Sequence, residues 1–175
     1  MDKWLFWSDR GEGKTLLMTQ MANDLCDAGY KVTYVSGTEE KLPLRRDITH
    51  LWCSESDKNS NYTLAVLKEK AQLGRIDFLF VDDLSITGFK VVSVYDIPCN
   101  VLTCDSSFGS MPISQKVPIS LLGLKENFIE IENNNQLSPK DYSFSQTFNS
   151  RKTIKYGDII NRYLRDKKIE KLIHE

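Results

Sequence analysis

"KWLFWSDRGEGKTLLMTQMANDL", Lys3 to Leu25, is the stretch on which the fold turns. It opens on a short apolar run, Lys3 to Trp7, which reads as a buried strand ended by polar and glycine residues. Thr15 to Ala28 then carries Leu17, Met18, Met21, Leu25 and Ala28 at the spacing of one helix face, and Gly29 closes it. Between the two, Ser8 to Thr15 nearly spells G-x-x-x-x-G-K-[ST], with Ser8 standing where the first glycine belongs.

A loop of this kind needs a strand that delivers the chain, backbone N–H groups that converge on phosphate oxygens, and a helix whose N-terminus faces the same point. Gly11 and Gly13 permit positive φ and close backbone approach, and Lys14 is long enough to reach the outer phosphates. The Thr15 hydroxyl is a ligand suited to Mg²⁺. Residues Ser8, Asp9, Arg10, Gly11, Glu12, Gly13, Lys14, Thr15 and Leu16 are therefore expected to hold a nucleotide, ATP, together with Mg²⁺. Ser8 is small enough for the tight exit from the strand.

A second stretch supports the first. "FLFVDD" (78–83) is an unbroken apolar run ending in two carboxylates, the form a Walker B strand takes to place an aspartate beside the phosphate loop. Asp82 is the expected metal-shell residue. Asp83 either supports it or acts as a second acid.

The remaining elements alternate. "KVTYVSG" (31–37), "DITHLWCS" (47–54), "IDFLFVDD" (76–83) and "CNVLTC" (99–104) read as strands, and Asn61 to Leu73 as a helix. Strands apolar on both faces and interleaved with helices imply a mostly parallel sheet covered on both sides, an α/β protein. "NFIEIEN" (127–133) and "YSFSQTFNS" (142–150) alternate with period two and read as an antiparallel hairpin at the sheet edge, and a helix is expected from about Lys155 to Ile173.

The 175 residues, 41% hydrophobic, fit one packed domain. The expected division is a core over 1–152 and a basic terminal helix over 153–175. Net charge is −1, so no overall electrostatic footprint for nucleic acid exists; residues 151–175 nonetheless hold eight basic against four acidic side chains. Cys26, Cys53, Cys99 and Cys104 lie far apart, which reads as reduced thiols rather than a disulfide frame or zinc site. With no apolar run near membrane-spanning length and no room for a signal peptide, the expectation is a cytoplasmic protein, of a cell or of a virus-infected host.

"KVTYVSGTEE" (31–40) resembles the segment of RecA-like ATPases, RadA and KaiC types among them, in which a strand after the phosphate-loop helix ends in the acid that polarises the attacking water. The resemblance implies Glu39 as general base, with Glu40 in reserve. Replicative hexameric helicases of that superfamily also carry a small non-glycine residue at the first loop position, as Ser8 is here. "NVLTCDSS" (100–107) lies where such proteins place a γ-phosphate sensor, normally an amide or histidine; Asp105 and Ser106 depart from that pattern. "SSFGSMPISQKVP" (106–118) matches in position a DNA-binding loop, with Phe108 for stacking and Lys116 for a phosphate contact. "FNSRK" (148–152) resembles the finger that reaches a neighbour's γ-phosphate, so Arg151 and Lys152 imply a site completed between subunits of a ring or filament.

The resemblance spans residues 3–152, the core alone, as in a minimal member of the class, with a viral source among the expectations. It implies an ATPase acting on single-stranded DNA in recombination, repair or replication. Two other readings stand beside it: a kinase of a nucleoside or small molecule, with Arg45 and Arg46 of "LPLRRD" (42–47) over the phosphates, and a weakly hydrolysing, nucleotide-gated assembly protein.

Overall fold

The computed structural model describes residues 1–8, 11–54, 60–106, 128–131, 138–146 and 152–175. In chain order the elements are β1 (Lys3–Ser8), α1 (Lys14–Ala28), β2 (Val32–Ser36), β3 (Thr49–Trp52), α2 (Ser60–Gln72), β4 (Phe78–Asp82), α3 (Val91–Tyr95), β5 (Asn100–Ser106), β6 (Phe128–Ile131), a 3-10 turn (Pro139–Asp141), β7 (Ser143–Gln146), β8 (Lys152–Lys155) and α4 (Tyr156–His174). They form one sheet in the order β3-β2-β4-β5-β1-β6-β7-β8. The first six strands of that order run parallel. β7 and β8 continue antiparallel.

The pleat explains the apolar runs. In β1, Leu5 joins one core cluster and Phe6 the other; in β4, Leu79 and Val81 face one way, Phe78 and Phe80 the other. Leu17, Met18, Met21 and Leu25 of α1 fill the Phe6 side with Ile159, Ile160 and Tyr163 of α4, while Leu67 of α2 and Val94 of α3 fill the Leu5 side. A sheet apolar on both faces thus acquires helices on both, which is the three-layer α/β arrangement the alternation implies.

The hairpin stands where the alternation puts it: β6 is the antiparallel partner of β7 and also lies parallel against β1, so β6, β7 and β8 continue the sheet beyond β1 to its edge. Two further elements lie outside the reading of the sequence. "VVSVY" folds as the short helix α3 although its β-branched residues favour a strand. β8 is a four-residue strand with no apolar pattern; it straddles residues 152 and 153 and runs straight into α4. All four cysteines are free thiols.

Stacking the parallel strands brings Ser8, Ser36, Asp82 and Ser106, the last residues of β1, β2, β4 and β5, to one end of the sheet. Open parallel sheets bind ligands at that end.

Candidate functional site

β1 delivers Ser8, buried at the sheet end, and the chain returns through Gly11 to the start of α1. Asp9 and Arg10 lie outside the described residues. Gly13, the N-cap of α1, has φ 84° and Gly11 has φ 82°, values that a side chain would strain. α1 begins with no side-chain cap and no acid in its first turn, so its terminal N–H groups present a positive dipole end towards the loop. Glu12 is half-buried within the loop.

Lys14 is the buried cation of the site, 6% exposed. Its Nζ donates to the Ser8 carbonyl at 3.1 Å and to the Ser8 hydroxyl at 3.0 Å. Burial holds its pKa below the ordinary 10.5, and Cys104, Asp83, Asp82 and Asp105 oppose that shift. Ser8 is therefore more than a small residue tolerated in the turn.

A cavity of about 480 Å³ opens over this loop. Gly11, Gly13, Lys14, Thr15, Asp83 and Ser106 line one side of it, and Glu40, Lys41, Leu42 and Pro43 the other. Leu16, half-exposed, and Thr19 line it along α1. The second wall is held to α1 by Asn23, whose amide nitrogen donates to the Pro43 carbonyl at 2.8 Å and whose oxygen accepts from the Arg45 N–H at 2.9 Å.

Asp82 is 3% exposed and does not line the cavity. One of its carboxylate oxygens accepts from the Tyr34 hydroxyl and the other from the Cys104 thiol, each at 2.8 Å. Asp83 does line it. Its φ of 54° makes it the one non-glycine residue with positive φ among the described residues, and its carbonyl accepts from the N–H groups of Ile86 at 2.8 Å and Thr87 at 3.3 Å, closing a tight turn. Positive φ in an aspartate beside a polar cavity is backbone strain placed where side-chain direction matters.

Glu39 and Glu40 are both exposed, and they part company. Glu40 and Lys41 line both the cavity over the loop and a neighbouring pocket of about 250 Å³, whereas Glu39 lines only the latter, with Ser36, His50 and Trp52, where Ser36 and His50 share a hydrogen bond of 2.8 Å. At the end of β5, Ser106 lines the main cavity while Asp105 accepts from the Ser85 hydroxyl at 2.8 Å and the Ser106 N–H at 2.9 Å. Arg45 points elsewhere: its guanidinium holds Asp27, near the far end of α1, through two hydrogen bonds of 2.9 and 3.1 Å. Arg46 is exposed. Lys152 begins β8; Phe108, Lys116 and Arg151 lie outside the described residues.

Residues that the sequence did not single out complete the picture. Tyr142, before β7, sits against the loop so closely that a Cβ on Gly13 would stand 2.6 Å from its hydroxyl. Lys41 carries no signal in the sequence, and Leu42 and Pro43 enter the reading only as the start of "LPLRRD", whose arginines drew the attention. Tyr34 and Cys104 were hidden inside apolar strand runs, where nothing distinguishes a core residue from one that reaches a carboxylate.

Hard oxygen donors surround the cavity: the Thr15 and Ser106 hydroxyls and the Asp83 carboxylate, with Asp82 buried behind them. That donor set fits hydrated Mg²⁺, which prefers one or two carboxylates and phosphate oxygens to a full protein cage. Among the described residues no group of three or more His, Cys, Asp or Glu side chains forms a self-sufficient metal cage. No helix among them is long and apolar enough to cross a membrane.

No family model matches the sequence, and no curated protein matches it. Among solved structures, the flagellar accessory protein FlaH from Methanocaldococcus jannaschii superposes with a TM-score of 0.56 at 14% identity, over 89% of this chain and 78% of that one. At that identity the likeness is one of fold. The fold is α/β with a mostly parallel, helix-flanked sheet.

Proposed function

We propose that the chain binds Mg²⁺-ATP at the loop between β1 and α1 and hydrolyses it in a DNA-linked process such as recombination, repair or replication. One observation carries the nucleotide part: Gly11, Gly13, Lys14 and Thr15 converge with Asp83 and Glu40 on a single cavity at the carboxyl ends of the parallel strands. In this reading the loop N–H groups, from Ser8 to Leu16, and the α1 N-terminus wrap the phosphates, and Lys14 leaves Ser8 to neutralise the outer ones. Thr15 would ligate the metal and Asp82 would order its water shell. Mg²⁺, when bound, neutralises the charge that gathers on the phosphate oxygens.

The water-activating acid comes from the segment after β2. Glu39 is the residue the resemblance selects, and Glu40 is the one supported by position in the cavity wall. Arg151 and Lys152 would act on the γ-phosphate of a neighbouring copy, which makes hydrolysis depend on a homo-oligomer; Phe108 and Lys116 would contact single-stranded DNA. The four free thiols support a cytoplasmic setting.

A kinase reading is second. The apolar wall of Leu16, Leu42 and Pro43 beside the loop leaves room for an acceptor. Against it, the Arg45 guanidinium that such an enzyme would swing over the phosphates is committed to Asp27.

ATP binding and turnover, with and without single-stranded DNA, test the proposal. Lys14→Ala should abolish binding, and DNA should raise turnover in the wild type. Of Glu39→Gln and Glu40→Gln, the variant that binds ATP but no longer hydrolyses it identifies the base. Binding without turnover in any condition would instead support an assembly protein, and transfer to a nucleoside would support the kinase.

A further inference from the structure

The carboxyl end of β4 carries a buried carboxylate whose hydrogen-bonding partners come from the strands on either side. Asp82 is 3% exposed, and an ionised group so buried persists only where donors replace the water it has lost. Both donors are neutral. Tyr34 on β2 supplies a hydroxyl to one oxygen and Cys104 on β5 a thiol to the other, each at 2.8 Å.

Neither residue is needed there by the sheet. Tyr34 is fully buried among Phe6, Phe78 and Phe80, where phenylalanine would pack as well. Its ring is fixed between two others: Phe80 stacks on it at 5.9 Å with the planes 9° apart, and His50 meets it edge-on at 5.8 Å. Tyr34 pairs with Phe80 across the strands, so its hydroxyl reaches past one strand position, that of Val81, to Asp82. Cys104 is fixed by its backbone, whose carbonyl accepts from the Leu84 N–H at 3.0 Å.

We propose that Tyr34 and Cys104 are positioning residues of the nucleotide site: by gripping the two oxygens of Asp82 they lock its carboxylate in one orientation, and so fix where the metal's water shell sits over Thr15. The inference rests on the nucleotide reading above and adds to it the claim that affinity for metal-bound nucleotide is set from inside the sheet. A carboxylate with freely rotating oxygens would order no particular water. The two donors belong to different strands, so losing either frees one oxygen without emptying the core.

The test is titration of a fluorescent ADP analogue against wild type, Tyr34→Phe, Cys104→Ala and Cys104→Ser, in Mg²⁺ and again in EDTA. Tyr34→Phe should weaken binding about tenfold in Mg²⁺ and change it by less than about twofold in EDTA, the size expected for a hydrogen bond to a charged group. Cys104→Ala should move the same way, and Cys104→Ser, which restores a donor, should recover most of the loss. Equal losses in Mg²⁺ and EDTA, or no loss in either, would overturn the proposal. Thermal melts accompany each variant; if Tyr34→Phe fails to fold, the Cys104 pair decides alone, with loss in alanine and recovery in serine supporting the proposal and equal behaviour overturning it. A wild type that binds no ADP analogue in either condition would overturn the nucleotide reading itself, a result distinct from a binding wild type with indifferent variants.

Discussion

Lys14 is folded back onto Ser8: its Nζ lies 3.0 Å from the hydroxyl and 3.1 Å from the carbonyl of the residue six places before it. The ammonium is thus already bonded by the loop it would use to hold phosphate. A ligand has to compete with those two acceptors, and one of them exists only because position 8 is serine. Ser8→Ala should therefore tighten nucleotide binding by about three- to tenfold, since one charge-assisted competitor is removed. Equilibrium titration of a fluorescent nucleotide measures it, and weaker binding by the variant would show that the hydroxyl serves the bound state instead.

The same lysine predicts a divergence with pH. Burial lowers its pKa in the folded chain from 10.5. Between the lowered value and 10.5 the folded state therefore holds fewer protons on this group than the unfolded state, so its contribution to stability rises with pH in that window. In the proposed site, nucleotide binding needs the ammonium and should be lost over the same window. Comparing wild type with Lys14→Met, as pH is raised from neutrality towards 10.5, should show the wild type alone losing this part of its affinity while its melting temperature gains on the variant's.

Asp83 stores strain that glycine would not. At φ 54° an aspartate sits in the left-handed region, which glycine occupies without steric penalty. Asp83→Gly should raise stability by up to about 1 kcal/mol, roughly 2–4 °C in Tm, and Asp83→Val should lower it by at least as much. Differential scanning calorimetry reads both. If Asp83 also serves the cavity it lines, the stabilised glycine variant should lose Mg²⁺-dependent activity, a trade between stability and function.

Gly13 faces two constraints at once. Alanine there would meet the Tyr142 hydroxyl at 2.6 Å and would also have to adopt φ 84°. Gly13→Ala should destabilise by about 1–3 kcal/mol, the clash and the backbone each contributing. Adding Tyr142→Phe removes the clashing oxygen and should recover only the first part, as a double-mutant cycle in chemical denaturation would show.

The parts of the molecule written plainly in the sequence are those governed by short-range rules. The strand–loop–helix from Lys3 to Ala28 and the apolar β4 have a length, a period and a punctuation that fix them locally. β8 was invisible because "KTIK" has too few residues to show a period, and it forms only because β7 lies beside it. α3 goes against the strand preference of its valines because Val94 and Tyr95 find the core more readily from a helical turn between β4 and β5. Within the site, Gly11 to Thr15 and the acidic pair at 82–83 were legible as a motif. The presence of Glu40 but not Glu39 in the wall of the loop cavity, the commitment of Arg45 to Asp27, and the grip of Tyr34 and Cys104 on Asp82 depend on contacts between distant segments, which no window on the sequence contains.

β1 carries the phosphate loop from the middle of the sheet, and its neighbours there are β5 and β6, paired through Lys3 with Val101 and Leu5 with Phe128. β1 is thus flanked by strands made much later in synthesis. Until β5 and β6 exist, the loop has no frame to hold its N–H groups together, and Lys14 lacks the carboxylates of Asp82 and Asp83 nearby. Pairing across such long stretches of chain makes folding slow, because loops must close before contacts reward them. On the ribosome, the frame of the loop is therefore complete only after β5 and β6 have emerged, and the segment before them, with an unpaired central strand, is the species that chaperones would have to shelter.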